Sequence, residues 1–278
     1  MRVRLLPVSA FQAIVLGIVQ GLTEFLPISS TAHLRIVPAF LGWSDPGAAF
    51  TAVIQLGTMA AVLLYFRHDI ARIFLAWLRG LRDREQRSTL DSRMGWYIIL
   101  GTIPIGIFGI VFHSAIETGA RNLELIGSTL VVFGLIMWAV DRTARLERGL
   151  EALDRRDGLF IGLAQSLALV PGVSRSGATI SAGLFRGLDR ESAARYSFLL
   201  SIPAVVLSGL FELRKIGDPG GAGVAPTAIA TVLAFVVGYA SIAFLLRYLT
   251  RHGLGVFVAY RLILGTVVLV LAANGTIS

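Results

Sequence analysis

The chain has 278 residues, of which 55% are hydrophobic and only 15% charged, with a mean hydropathy of +0.75. Ordinary globular domains hold roughly a quarter charged residues, so this balance excludes a soluble domain and points to an all-α polytopic membrane protein. The net charge of +8 does not mark a nucleic-acid binder, because the arginines collect in short loops beside apolar spans, which is a topology signal; the absence of cysteine excludes disulfides and thiolate metal sites.

Taken in chain order, Arg2 and Arg4 precede an apolar stretch. That stretch contains Gln20 and Glu24 and lacks a small-residue cleavage site, so no signal peptide is expected. Residues 10–41 form an apolar segment broken in its middle by Pro27 and by the hydroxyls of Ser29, Ser30 and Thr31, with His33 just beyond. Each half is shorter than the roughly 20 residues needed to cross a bilayer, which suits a re-entrant hairpin. Six unbroken spans are predicted near 47–66, 94–112, 122–140, 192–212, 226–246 and 253–273, and a second broken stretch lies at 158–187. Between the first two spans, residues 67–93 carry an amphipathic pattern that includes Ile70, Ile73, Phe74, Trp77, Leu78 and Leu81, expected as a helix on the inner membrane surface. Residues 217–223, with Pro219 and several glycines, read as a flexible outer loop.

The two broken stretches resemble each other at an offset of 145: Gly17 meets Gly162, Gln20 meets Gln165, Leu22 meets Leu167 and Ser29 meets Ser174. This is the mark of an internal duplication. The single membrane domain would comprise a first repeat over 1–141 and a second over 142–278. Each repeat holds one hairpin and three spans, and because three is odd the second repeat is inverted, which brings the hairpin tips together near the midplane. Seventeen arginines fall on one side of this arrangement against five basic residues on the other. The positive-inside rule then places the termini and the mouth of the first hairpin outside the cytoplasm.

The second hairpin reads Pro171-Gly172-Val173-Ser174-Arg175-Ser176-Gly177-Ala178-Thr179. Free amides, the hydroxyls of Ser174, Ser176 and Thr179, the start of a half-helix and the planar fork of Arg175 together make an oxyanion or phosphate cradle. The first hairpin supplies complementary parts: Glu24 to hold a divalent cation or a proton, Ser29 and Ser30 as candidate nucleophiles, and His33 as base or acid. A charged side chain at mid-bilayer costs about 2.5–3.5 kcal/mol on insertion scales, so Glu24 and Arg175 are hard to explain as packing. A structural ion pair between them stays open and is compatible with catalysis. A lone serine in a membrane helix is most often a small-residue contact; six hydroxyls flanking two helix breaks weigh against that reading. His68 and His113 are expected at the interface, Arg35 and Arg261 to snorkel or pair, and Asp45 and Asp189 to cap helices. Gly101, Gly106 and Gly109 form a small-residue face suited to close helix packing or a homodimer.

The segments GxxQGxTEFLPxSSTxH and PGxSRSGxT, each near the start of one half, resemble the two signature regions of the bacterial undecaprenyl-pyrophosphate phosphatases, also known as bacitracin-resistance proteins. The resemblance covers essentially the whole chain. It implies an inner-membrane enzyme that removes the terminal phosphate of a polyprenyl pyrophosphate lipid and returns the monophosphate carrier to envelope synthesis, with no nucleic-acid partner and with the active site opening to the periplasmic side. The family's acidic pair maps onto Gln20 and Glu24, its serines onto Ser29 and Ser30, its histidine onto His33, and the second motif onto Ser174, Arg175, Ser176 and Thr179. Two departures stand out. Gln20 leaves one carboxylate where many members have two, and Ala32 replaces a usual glycine, which would strain a positive φ there. The expected catalytic set is Ser30, His33, Glu24 and Arg175; Ser29, Thr31, Ser174, Ser176, Gly177, Thr179 and Gln20 would bind phosphate, and Glu24 would hold Mg2+ or Ca2+. Ser30 is the preferred nucleophile, with Ser29 and His33 open. A transporter of polyprenyl phosphate between leaflets is the alternative.

Overall fold

The computed structural model describes residues 8–112, 122–212 and 222–277. His113 and most of the glycine-rich 217–223 loop lie outside the described residues. Among those described, the secondary structure is helical apart from one isolated bridge between Arg148 and Leu188. The helices are α1 (Ala10–Phe25), α2 (Ser30–Phe40), α3 (Gly47–Tyr65), α4 (Arg67–Gly80), the short α5 (Arg84–Arg87), α6 (Leu90–Val111), α7 (Leu123–Thr143), α8 (Arg155–Gln165), α9 (Arg175–Phe185), α10 (Arg190–Glu212), α11 (Val224–Leu249) and α12 (Gly255–Ala273).

Five of these, α6, α7, α10, α11 and α12, are each long and apolar enough to cross a membrane. α3 joins them as a sixth when taken with α4, from which it is bent by 76°. The amphipathic stretch after the first span is therefore a separate helix, as the pattern predicted, with Phe74, Leu75 and Leu78 exposed on it. The protein is a multi-pass membrane protein.

The short helices make up the two hairpins. α1 packs against α2, and α8 packs against α9. Each hairpin also leans on a long helix from the other half of the chain: α1 lies along α11, and α8 along α6. Both contacts are made at backbone range. A Cβ added at Gly162 would sit 2.3 Å from the Gly101 Cα, so Gly101 serves a contact within the chain. Gly106 meets nothing within 4 Å, and Gly109 meets only Leu169.

Helix starts follow local chemistry. Ser9 and Gln12 form a capping box on α1, and Asn122 caps α7. Asp189 accepts the Ser192 N–H at 2.7 Å and so caps α10. Asp45 accepts the Gly47 N–H at 2.8 Å and also pairs with Arg35 at 3.5 Å. His68 is exposed on α4.

The arginine-rich end is pinned by carboxylates. Asp157 receives Arg148 at 2.6 Å and Arg186 at 2.7 Å. Burial works against its charge, but hydrogen bonds from Arg148, the Asp154 N–H and Arg186 outweigh it and hold the carboxyl below its usual range. Asp141 takes Arg190 at 2.7 Å and the Leu254 N–H at 2.9 Å, and Asp69 takes Arg195 at 2.8 Å. The Asp157 pairs close the base of the α8–α9 hairpin, and the others hold α10 to α7 and α4 and the start of α12 to α7.

Candidate active site

Each hairpin turns for the same local reason. Pro27 has no N–H and disfavours a helical residue before it; Leu26 accordingly sits at φ −64°, ψ 139° and ends α1. Ser29 then takes a φ of 74° and caps α2, its hydroxyl accepting the Ala32 N–H at 3.4 Å. In the second hairpin Gly172 takes φ 88° and Ser174 φ 76°, and the Ser174 hydroxyl accepts the Gly177 N–H at 3.2 Å. Non-glycine residues seldom adopt this backbone region, and the strain of roughly 1–3 kcal/mol persists only where the surroundings enforce it. The strain sits on the two capping serines, which are 145 positions apart. Ala32 lies within α2 and is not among the positive-φ residues, so its methyl strains nothing.

The correspondence continues past the caps. Ser29 and Thr31 bring their hydroxyls within 3.1 Å, as do Ser174 and Ser176. Ser30 opens α2 where Arg175 opens α9. A hydroxyl and a cation thus occupy matching first positions of two half-helices, where backbone N–H groups and the positive dipole end favour anions.

Gly172 is required at its position. Besides the positive φ, an added Cβ would fall 2.0 Å from the Thr129 Oγ1 and 2.9 Å from the Ile126 carbonyl. The Thr129 hydroxyl also donates to the Pro171 carbonyl, so any displacement there moves the second turn. Gly172→Ala is expected to lower the thermal unfolding midpoint in detergent by several degrees, corresponding to about 2 kcal/mol. An unchanged midpoint would show that the turn relaxes freely.

The two turns face one small, partly open cavity. Its wall is built by Glu24, Ser29, Ser30 and Thr31 from the first hairpin, by Ala168, Ser174 and Arg175 from the second, and by Gln55 from α3. Glu24 is the hub. Its Oε2 accepts the Ser30 hydroxyl at 2.6 Å and the Gln20 amide at 2.9 Å, while its Oε1 lies 3.8 Å from the Arg175 Nη1. The Ser30 contact has the length of a charge-assisted bond. Arg175 is spent much less: Nε and Nη1 are buried without a hydrogen-bond partner. Buried donors of this kind are costly to leave unmade, and an anion entering the cavity would satisfy them.

Not every residue expected at the site lines it. Ser176 donates to the Leu26 carbonyl at 3.3 Å, tying the second turn to the first. Thr179 donates to the Arg175 carbonyl at 2.8 Å and pairs with Ser197. The Gly177 N–H is used by Ser174. In this arrangement the donors of these three residues are engaged in shaping the turn.

His33 is not among the residues that line the cavity. Its Nδ1 meets the Ser29 carbonyl at 2.7 Å and its Nε2 meets the Tyr260 hydroxyl at 2.7 Å. Both nitrogens are engaged, no hydrogen bond joins His33 to Ser30, and the group on the Ser30 hydroxyl is Glu24. Arg261 neither snorkels nor pairs with a carboxylate. It is fully buried, and its partners are backbone carbonyls. Sequence reasoning passed over Gln55 and Tyr260. The available signal was a buried amide in the middle of the first span and a tyrosine directly before an intramembrane arginine.

Among the described residues no group of three or more His, Asp or Glu could hold a metal, and Glu24 is the one carboxylate on the cavity wall. The Gln20 Oε1 is buried without a partner. One carboxylate and one unpartnered amide oxygen are too few ligands to cage a cation with protein groups alone.

Comparison with known proteins gives a consistent picture. The family described as "Bacitracin resistance protein BacA" matches residues 13–267. The chain is 55% identical over 272 residues to a protein named "Undecaprenyl-diphosphatase" from Nocardioides sp., covering 98% of this chain and 99% of that one. It is 52% identical over 270 residues to the "Undecaprenyl-diphosphatase" of Thermobifida fusca, covering 97% and 92%. It is also 56% identical over 282 residues to "Undecaprenyl-diphosphatase 2" of Frankia casuarinae, covering 96% of each.

Proposed function

Because the chain belongs to the bacitracin resistance protein BacA family, we propose that it hydrolyses undecaprenyl pyrophosphate to undecaprenyl phosphate and inorganic phosphate. The observation that carries this reading is the Ser30 hydroxyl held 2.6 Å from Glu24, on the same cavity wall as an Arg175 whose donors are unspent. The substrate is a polyprenyl pyrophosphate lipid, with its tail along the apolar spans and its head in the cavity.

The reaction proceeds as in-line phosphoryl transfer. The Ser30 oxygen attacks the terminal phosphorus as the Ser30 proton passes to Glu24, and the bond from that phosphorus to the bridging oxygen breaks. Undecaprenyl phosphate leaves, its new terminal oxygen taking up the proton held by Glu24, and the terminal phosphoryl group remains on Ser30. Water then attacks the phosphoserine, yielding its proton to Glu24, and the P–O bond to Ser30 breaks to release phosphate as the Ser30 oxygen takes that proton back from Glu24, which restores both groups. Arg175 and the amides at the start of α2 and α9 stabilise the charge on the equatorial phosphoryl oxygens. Glu24 and the Gln20 Oε1 would hold a divalent cation, Mg2+ or Ca2+, that neutralises phosphate charge. His33 supports Ser29 from behind, and Gln55 offers its amide to the headgroup.

The matching caps at Ser29 and Ser174, and the crossing of α1 with α11 and α8 with α6, support the division into inverted repeats at 1–141 and 142–278. With the arginine-rich end in the cytoplasm, the protein resides in the inner membrane and the cavity opens to the periplasmic side. Exposed Gly106 and the apolar residues around it would suit a homodimer contact.

The transporter alternative is not favoured, since the relatives are named as diphosphatases. Purified protein in detergent, where there are no leaflets to cross, is expected to release one phosphate per undecaprenyl pyrophosphate. Binding of the lipid with no release would overturn the phosphatase reading.

A further inference from the structure

Arg261 lies within α12, far from either motif, with 0% of its surface exposed. Its Nη1 donates to the Pro27 carbonyl at 3.2 Å and the Val173 carbonyl at 3.1 Å. Its Nη2 donates to the Gly172 carbonyl at 2.8 Å and the Thr129 carbonyl at 3.5 Å, and its Nε to the Leu130 carbonyl at 3.4 Å. The Phe133 ring lies 5.6 Å from its Cζ. Pro27 belongs to the first turn, and Gly172 and Val173 to the second. One guanidinium therefore bridges both hairpin tips, two residues before Ser29 and immediately before Ser174.

A fork with five N–H groups in fixed geometry can hold carbonyls that diverge from one another; an ammonium is a point donor and cannot. The preceding residue extends the grip, because the Tyr260 hydroxyl bonds His33, which in turn meets the Ser29 carbonyl. Resting on the phosphatase reading above, we propose that Arg261 is the positioning residue that sets the separation between the Glu24–Ser30 hairpin and the Arg175 hairpin during phosphoryl transfer. It touches neither the substrate nor the cavity wall. It acts by fixing where the attacking oxygen stands relative to the phosphate held by Arg175, and a displacement of about 1 Å in such geometry costs on the order of 10²-fold in rate.

The test uses full-length protein in detergent. Arg261→Met removes every donor, and Arg261→Lys keeps the charge but loses the fork. The expected result is a kcat about 100-fold lower for Arg261→Met with KM within about 3-fold of the parent, and partial recovery of kcat, about 10-fold, in Arg261→Lys. A second readout does not need turnover. With cysteines placed at Leu26 and Ser176 in this cysteine-free chain, short-reach thiol cross-linking between the tips is expected to slow at least about 10-fold when Arg261→Met is added. The proposal is overturned if folded Arg261→Met keeps the parental kcat and cross-linking rate. Failure of both variants to fold overturns it too, since Arg261 would then serve global stability alone. If the parent protein released no phosphate, the phosphatase reading would fall, and the cross-linking rate would still decide whether Arg261 sets the spacing.

Discussion

Arg175→Ala is expected to lower phosphate release from undecaprenyl pyrophosphate by about 10³-fold or more, the range in which an arginine stabilises a phosphoryl-transfer transition state. The substitution removes two buried donors that have no internal hydrogen-bond partner, so little of the native framework depends on them. Its ion pair with Glu24 is long, at 3.8 Å, and Glu24 keeps its bonds from Ser30 and Gln20. The variant should therefore insert and fold as the parent does, with an unchanged elution profile and a thermal midpoint within a few degrees. Arg175→Lys should recover only part of the activity, because a point charge cannot reproduce a bidentate fork on phosphate oxygens. Normal turnover by purified Arg175→Ala would remove this residue from the chemistry.

The second large effect is at Ser30. Ser30→Ala deletes the attacking oxygen and is expected to reduce turnover by about 10⁴-fold or more, as loss of a nucleophile does elsewhere. Ser29→Ala should behave differently. Its hydroxyl caps α2 and meets Thr31, so its loss is expected to cost stability of about 1 kcal/mol and a smaller share of rate. Rapid acid quench of the parent with lipid bearing a labelled terminal phosphate should trap the label on a peptide containing Ser30, and no label should be trapped in Ser30→Ala. Label retained on the protein in Ser30→Ala would assign the nucleophile to another residue.

Much of this architecture was legible before any coordinates, and the reason is the bilayer. Apolar runs of fixed length declare themselves as spans, which is why α6, α7, α10, α11 and α12 fall where hydropathy predicts. Pro27 and the Ser29–Thr31 run interrupt such a stretch visibly, as do Pro171 and the serines after it. Glu24 and Arg175 stand out because a charge in hydrocarbon demands a reason. Periodicity does not say which distant face a side chain will meet. Tyr260 lies 227 residues from His33, and Arg261 lies 234 residues from Pro27, so no local pattern could join them. The same limit explains Ser176 and Thr179. As residue types they suit a phosphate cradle, but the Leu26 carbonyl and Ser197, supplied by tertiary packing, claim their hydroxyls first.

That the two hairpin tips converge on one cavity can be measured without substrate. In the cysteine-free chain, Leu26→Cys and Ser176→Cys place one thiol in each tip, at positions whose Leu26 carbonyl and Ser176 hydroxyl are 3.3 Å apart. A short bifunctional thiol reagent applied to membranes should join them within a single chain, giving a fast-migrating species that reverts when the linker is cleaved. Quantitative modification of both thiols with no intramolecular bridge would mean that the tips lie apart, and a shared site for the lipid headgroup could not exist.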